Sequence, residues 1–336
     1  MKVLVTGAFG NVGASTLKAL IAKNKHEITC FDRPKLINRK ESRKFKKDVK
    51  IIWGDLRNPK KVEKAVKGQD IVLHIGAIIP PAANRSRKRT FNINFGGTKN
   101  IVNAIVKQAT KPKMIYTSSV AVYGDVRELG EHCIDIDYPF NPSPDDFYAV
   151  TKIRSEEYIR ESGVEFVIFR LSYIPNAEKI ALTPLMFRMP LDTPIEFTHT
   201  SDTGLAIANT IEKDEMFGNV YNLGGGKESQ IYYREFLENM LPFMGVDMLP
   251  DEAFSTEPFH CCFYDTTELE KLLQFQKHNM KDLYQEMVDN TRTARVLARM
   301  FKPIVRPFLL MLSPHYGKNM RKKRKQKRLE KRNKSK

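Results

Sequence analysis

The first thirteen residues constrain the fold more than any other stretch. Val3, Leu4 and Val5 form a short apolar run, the mark of a buried parallel strand. Gly7, Gly10 and Gly13 follow at three-residue spacing, and from Ala14 to Ala22 the apolar residues Leu17, Leu20 and Ile21 recur at helical period. Strand, glycine-rich turn and helix in direct succession are the context that a dinucleotide-phosphate loop requires. Gly7 permits the tight turn, Gly10 lets backbone approach a pyrophosphate, and Gly13 lets helix lie on strand. The free amides of the helix N-terminus then offer partial positive charge to the phosphates.

Further strands follow in order. Ile28 to Phe31 reads as a second strand ending at Asp32. A carboxylate there can accept the hydroxyls of an adenosine ribose and repel a 2′-phosphate, which favours NAD. Arg33, next along, could instead welcome that phosphate, so NADP stays open. Ile51 to Trp53 leads to Asp55 and Leu56, where the acid can contact adenine. Asp70 to Ala77 is a fourth strand, with Ile75, Gly76 and Ala77 at the end where backbone must approach a cofactor. Asn94 opens a helix through Ile101, Val102, Ile105 and Val106. Lys113 to Ser119 is a fifth strand ending in the hydroxyls of Thr117, Ser118 and Ser119. Strands alternating with helices imply an α/β fold, a doubly wound parallel sheet that binds ligands at the C-terminal strand ends.

Tyr148-Ala-Val-Thr-Lys152 adds chemistry to that frame. Residues four apart share a helix face, so a phenol and an ammonium can address one reacting centre. A free tyrosine titrates near ~10 and is a poor base at neutral pH. A neighbouring cation favours the phenolate. A shift of about three pH units corresponds to roughly 4 kcal/mol, which Lys152, an oxidised nicotinamide and a dry pocket could supply together.

Taken in order, Gly7, Gly10, Gly13, Asp32, Asp55-Leu56, His74 to Ala77, Asn94 to Thr98, Thr117 to Gly124, and Tyr148 with Lys152 resemble the extended short-chain dehydrogenase/reductases of the NAD-dependent epimerase/dehydratase superfamily. Phe197 to Asp202 resembles that family's His-x-x-Asp segment, and Gly218 to Gly225 its closing strand. The resemblance covers about residues 1 to 290. It implies that Tyr148 is the general base or acid, that Ser119 hydrogen-bonds the same substrate oxygen, and that Lys152 binds the nicotinamide ribose. It further implies that Gly7, Gly10, Asn11, Val12, Gly13, Asp32, Arg33, Asp55, Leu56, Ile75, Gly76, Ala77, Asn94 and Thr117 line the cofactor.

Departures from the family pattern bear on the substrate. The family's tyrosine-glycine-proline turn is replaced by Tyr173-Ile-Pro175, and Ile78 to Ala82 is more apolar than many sugar-epimerase pockets. Val120 and Ala121 occupy the place of a dehydratase acid pair. The leading expectation is an NAD-dependent oxidoreductase or epimerase acting on a secondary alcohol or ketone, such as that of a nucleotide sugar. The alternatives are a hydroxysteroid- or flavonol-reductase-like dehydrogenase on an apolar alcohol, and an NAD-binding regulatory protein without turnover.

The expected organisation is a Rossmann-type domain over 1–175 with contributions from about 196–225. A smaller substrate lobe takes about 176–195 and 226–290, and a basic, partly amphipathic tail follows over 291–336. Of the formal charge of +17, residues 291–336 carry +16, with 17 basic residues against Glu330 alone. Ala294 to Leu312 is apolar with interspersed arginines, and Pro303 and Pro307 should interrupt any long helix. An apolar wedge followed by a polybasic run suits peripheral contact with an anionic membrane, while packing of the wedge on the body is weighed equally. Nucleic acid ranks third, because the run lacks interleaved aromatics. Helices around Ile101 and Tyr158 are expected to form a homodimer contact, as the family implies. Cys30, Cys133, Cys261 and Cys262 are too few for a disulfide framework and point to a reducing cytoplasm. No metal-ligand spacing is evident, and a strand at the very start argues against a secretory signal.

Overall fold

Seven parallel strands carry the larger lobe of the computed structural model: β1 (Lys2–Thr6), β2 (Glu27–Asp32), β3 (Lys50–Trp53), β4 (Ile71–His74), β5 (Lys113–Ser119), β6 (Phe166–Leu171) and β8 (Val220–Leu223). Their order is β3-β2-β1-β4-β5-β6-β8, the doubly wound arrangement with its reversal between β1 and β4. β7 (Pro194–Glu196) and β9 (Gln230–Tyr232) pair antiparallel in a separate small sheet. The structure describes residues 1–130, 132–143, 145–176, 184–243, 245–290, 302–321, 323 and 325. The first part of the expected wedge, residues 177–183 of the expected substrate lobe, and much of the polybasic run therefore lie outside the described residues.

Strand residues alternate between two apolar layers. Val3, Val5, Leu73 and Phe169 face α1 (Asn11–Lys23) and a later helix, α7 (Thr200–Thr210). Leu4, Val72, Met114 and Ile168 face α3 (Pro59–Val66), α5 (Phe95–Val106) and α6 (Phe147–Glu161). Both faces are covered, which is why the strands read as continuous apolar runs rather than as alternation. Between these elements lie α2 (Leu36–Ser42), just after β2, and α4 (Arg87–Ile93), which runs into α5. Asn58 caps α3 by accepting from the Lys61 amide, with Pro59 in the first turn. Asp146 caps α6 by accepting from the Ala149 amide at 3.0 Å, which sets where Tyr148 and Lys152 begin their shared face.

The smaller lobe has its own core around Phe187, Ile195, Phe197, Leu237, Leu241 and Phe254. It is built by β7, β9, α8 (Tyr233–Phe243), α10 (Met280–Asn290) and α11 (Lys302–Leu312). α9 (Thr267–Leu273) differs from expectation: Leu269, Leu273 and Phe275 pack into the sheet's core, not the smaller lobe's. α11 contains Pro307 yet stays helical over eleven residues, and it buries Leu309 in the smaller lobe with Val305 and Leu312 packed beside it. Part of the expected wedge is thus bedded on the body. No helix among the described residues is long and apolar enough to cross a membrane.

Candidate active site

Missing side chains make the cradle. Gly7 stands at φ +65°, and a Cβ there would lie 2.6 Å from the Cα of Gly76. A Cβ on Gly13 would lie 2.2 Å from the Gly7 carbonyl oxygen. Gly10 precedes α1 without any side-chain cap, so the first-turn amides stay open to an anion. In front of them lies a cavity of about 480 Å³. Gly7, Gly10, Asn11, Val12, Gly13, Asp32, Arg33, Asp55, Leu56, Ile75, Gly76 and Ala77 all line it. So do Lys35, Asn38, Ile93 and the segment Ile78 to Ala82. Asn94 and Thr117 do not line it. The Asn94 side chain holds the backbone of Ile78 from both sides, accepting from its amide at 2.9 Å and donating to its carbonyl at 3.0 Å.

The acids of the cradle are already engaged. Asp32 accepts from the Phe9 amide at 3.0 Å, the Arg33 amide at 2.7 Å and Asn38 Nδ2 at 2.9 Å. Burial pushes its carboxyl upward against those bonds. Two carboxylate oxygens offer about four lone-pair sites, so roughly one remains, enough for a single ribose hydroxyl rather than the pair expected. Asp55 is forked by Arg57, at 3.0 and 2.8 Å, and that contact holds its carboxyl below the usual range. Neither Asn38 nor Arg57 stood out in the sequence, since each is a polar residue in a polar stretch.

Ser119, Tyr148 and Lys152 are gathered past Ile78 and Ile93, and none of the three lines the cavity. Tyr148 is 8% exposed, and the Ser119 hydroxyl stands near enough to its phenol to oppose the effect of burial. Lys152 Nζ donates to the Thr117 carbonyl at 2.6 Å and stands over the rings of Tyr116 and Tyr148 at 4.8 and 5.7 Å. Burial pushes the ammonium down to about 7. The two ring faces offset part of that cost by attracting the cation. The Tyr148 phenol departs from expectation: burial pushes it up to about 12, with Ser119 opposing, and Lys152 does not lower it. A half-neutral ammonium is a weak source of field, so a further cation is needed before the phenol can serve as base. Tyr148 packs against Ile78, Ala83, Ile93 and Ala121, and Ile78 and Ile93 also wall the cavity, so the cavity and the Tyr148 group adjoin.

Buried polar groups brace this arrangement. His74 bridges Thr6 Oγ1 at 2.8 Å and Thr98 Oγ1 at 3.1 Å, and the Gly76 amide donates to the same Thr6 hydroxyl at 3.2 Å. Burial pushes the imidazole down to about 3, so it stays neutral. Asp146, two residues before Tyr148, also pairs with His260 Nδ1 at 2.6 Å, and the paired imidazole helps to hold the carboxyl below its usual range. Sequence reasoning missed His260, because nothing local marks a residue so far along the chain as a partner of α6.

The His-x-x-Asp segment forms a tie between lobes. Asp202 accepts from His278 Nδ1 at 2.7 Å, His199 pairs with Glu286 at 3.0 Å, and the two imidazoles stack with centroids 4.1 Å apart. Stacked rings direct their nitrogen lone pairs into separate planes, which suits hydrogen bonding better than joint ligation of one ion. All four cysteines are free, and burial pushes Cys261 up to about 12. Two roomier hollows, about 680 and 830 Å³, lie beside Arg127 and Arg234 and beside Gln230 and Thr266. Neither includes a residue of the cradle or of the Tyr148 group.

Comparison with known proteins bears on family and fold. The profile of the NAD dependent epimerase/dehydratase family matches residues 3–175. A 3-beta-hydroxysteroid dehydrogenase of Mycolicibacterium neoaurum is 31% identical over 188 residues, 52% of this chain and 47% of that protein. D-erythronate dehydrogenase of Haemophilus influenzae is 27% identical over 205 residues, 57% of this chain and 62% of its own length. The matched region spans about half the length of the first steroid dehydrogenases, 47% and 44%. Among solved structures, UDP-glucuronic acid 4-epimerase from Bacillus cereus, in complex with UDP-glucuronic acid and NAD, superposes with a TM-score of 0.71. It is 20% identical and covers 87% of this chain and 99% of its own. A short-chain dehydrogenase/reductase superfamily protein from Agrobacterium tumefaciens with bound NAD gives 0.68 at 21% identity, covering 90% of this chain and 100% of that one. At these identities the structural likeness speaks for the fold.

Proposed function

The chain belongs to the NAD-dependent epimerase/dehydratase family, and from that premise we propose that it is an NAD-dependent oxidoreductase or epimerase acting on a secondary alcohol or the matching ketone. The observation that carries the reading is the convergence of Ser119, Tyr148 and Lys152 beside a glycine cradle. Gly7 to Gly13 would hold the pyrophosphate, Asp32 an adenosine ribose hydroxyl, and Lys152 the nicotinamide ribose. The cofactor, when bound, supplies the hydride acceptor or donor. Tyr148 exchanges the proton with the substrate oxygen, and Ser119 hydrogen-bonds that oxygen and fixes its position. With its phenol up at about 12, Tyr148 is protonated through the neutral range and stands ready to donate to the oxygen of a ketone under reduction. Oxidation needs the phenolate, and so depends on positive charge brought to the site.

An apolar alcohol is favoured over a nucleotide sugar. Ile78 to Ala82 lines the crevice, Ile79 is 61% exposed there, and a sequence relative acts on 3-beta-hydroxysteroids. Nicotinamide absorbance with a panel of sterols, simple secondary alcohols and nucleotide sugars tests this. Turnover of nucleotide sugars alone would replace the apolar reading, and NAD binding without turnover of any class would favour a regulatory protein. A homodimer would use the outer faces of α5 and α6, where Phe95 meets Tyr158 edge-on at 6.1 Å and Lys99 lies over both rings. Ile101 is fully buried and cannot take part. Sedimentation of a Phe95→Asp variant as a monomer, against a dimer for the parent, is the expected outcome.

A further inference from the structure

α11 carries two apolar stripes. Val305, Leu309 and Leu312 recur at i, i+4 and i+7 and pack against the smaller lobe. Ile304, Phe308 and Met311 recur at the same interval on the adjoining face, and they are 66, 51 and 73% exposed. Three large apolar side chains in one row on the water side of a helix mark a contact surface rather than scattered exposure. The chain beyond supplies a second signal. Residues 291–336 hold a net charge of +16 while the rest of the protein holds +1, and Lys318, Arg321 and Lys325 are exposed just past the stripe.

We propose that α11 and the basic run after it dock the protein on an anionic phospholipid surface, with Ile304, Phe308 and Met311 entering the boundary between headgroups and acyl chains. The charge distribution selects this occupant. A second copy laid on the stripe would bring two strongly cationic ends together. A nucleic acid would satisfy the cations and leave the stripe in water. An anionic bilayer answers both features, since apolar insertion and electrostatic attraction each give only weak binding alone and act together on one surface.

The test uses the full chain with vesicles of phosphatidylcholine alone, or with about one-third phosphatidylserine. Co-sedimentation is expected with the anionic vesicles only, weakening as salt rises. An Ile304→Ser/Phe308→Ser/Met311→Ser variant should bind roughly tenfold more weakly. Phe308→Trp should show a blue-shifted emission increment on anionic vesicles, above the constant background of Trp53. It also gives an answer should the triple variant fail to fold. Triple-variant binding equal to the parent overturns the proposal, as does an unmoved emission of the Phe308→Trp variant or equal binding to neutral vesicles. So does a drop in oligomer size of the triple variant without vesicles, which would assign the stripe to a second copy. Capture of RNA in preference to anionic vesicles would assign the charge to nucleic acid.

Discussion

The two ends of the candidate site are built on opposite principles. At the cradle, space comes from absent side chains, polar contact comes from backbone amides, and the cavity is open. At the Tyr148 end, space is filled, and a phenol, a hydroxyl and an ammonium are held almost out of water. The cradle is specific through shape. The far end stores an electrostatic penalty, visible as an ammonium pushed down to about 7 and a phenol pushed up to about 12. A binding region can thus be settled by geometry, while a reacting region is left unsettled until charge arrives.

Each half of that contrast can be broken separately. Tyr148→Phe should lower turnover by about 10²- to 10⁴-fold while NAD titration gives the parent affinity. Loss of NAD binding in that variant would show that the two ends are not separable. Gly13→Ala is the converse. Its new methyl meets the Gly7 carbonyl at 2.2 Å, so the turn must move. A destabilisation of about 3 kcal/mol in thermal or denaturant unfolding is expected, with NAD affinity falling most.

Lys152→Met sharpens the stored penalty. The folded ammonium titrates near about 7 and the unfolded one near 10.5, so unfolding takes up a proton between those values. The penalty is complete below the folded value and is relieved as pH rises toward the unfolded one. The Lys152→Met protein should therefore melt higher than the parent at about pH 6, with the advantage shrinking toward about pH 10. An advantage that is flat with pH would remove the buried-charge account. Asp32→Asn should have the smallest effect. It keeps the shape while weakening the bonds from the Phe9 and Arg33 amides. Discrimination between NAD and NADP, read as the ratio of kcat/KM values, should relax by about tenfold, or roughly 1.4 kcal/mol. An unchanged ratio would shift the specificity argument to Arg33.

The cradle was legible because local rules write it. Gly7, Gly10 and Gly13 sit at a fixed spacing between a strand and a helix, and Asp32 ends the next strand. The strands of the sheet were legible for the same reason, as short apolar runs punctuated by polar turns. What was not legible depends on distant partners. His260, far along the chain, reaches Asp146 only through the packing of the two lobes. The upward push on Tyr148 was missed because a sequence shows the neighbouring lysine but not the depth of burial. α11 lay between two readings, and the structure divides it: Leu309 is buried, and Met311 two residues on is not.

The strand order carries a consequence for how the protein is made. β8 closes the sheet on β6, yet the chain must first build β7 and α7, and the sheet's core is completed by Leu269, Leu273 and Phe275 of the segment that follows still later. During synthesis the chain through β8 would wait with Ala206, Ile207 and Leu223 unsheltered until α9 left the ribosome. Nascent chains arrested before residue 275 should therefore be the species that chaperones hold and proteases clip, and release should coincide with the arrival of Phe275.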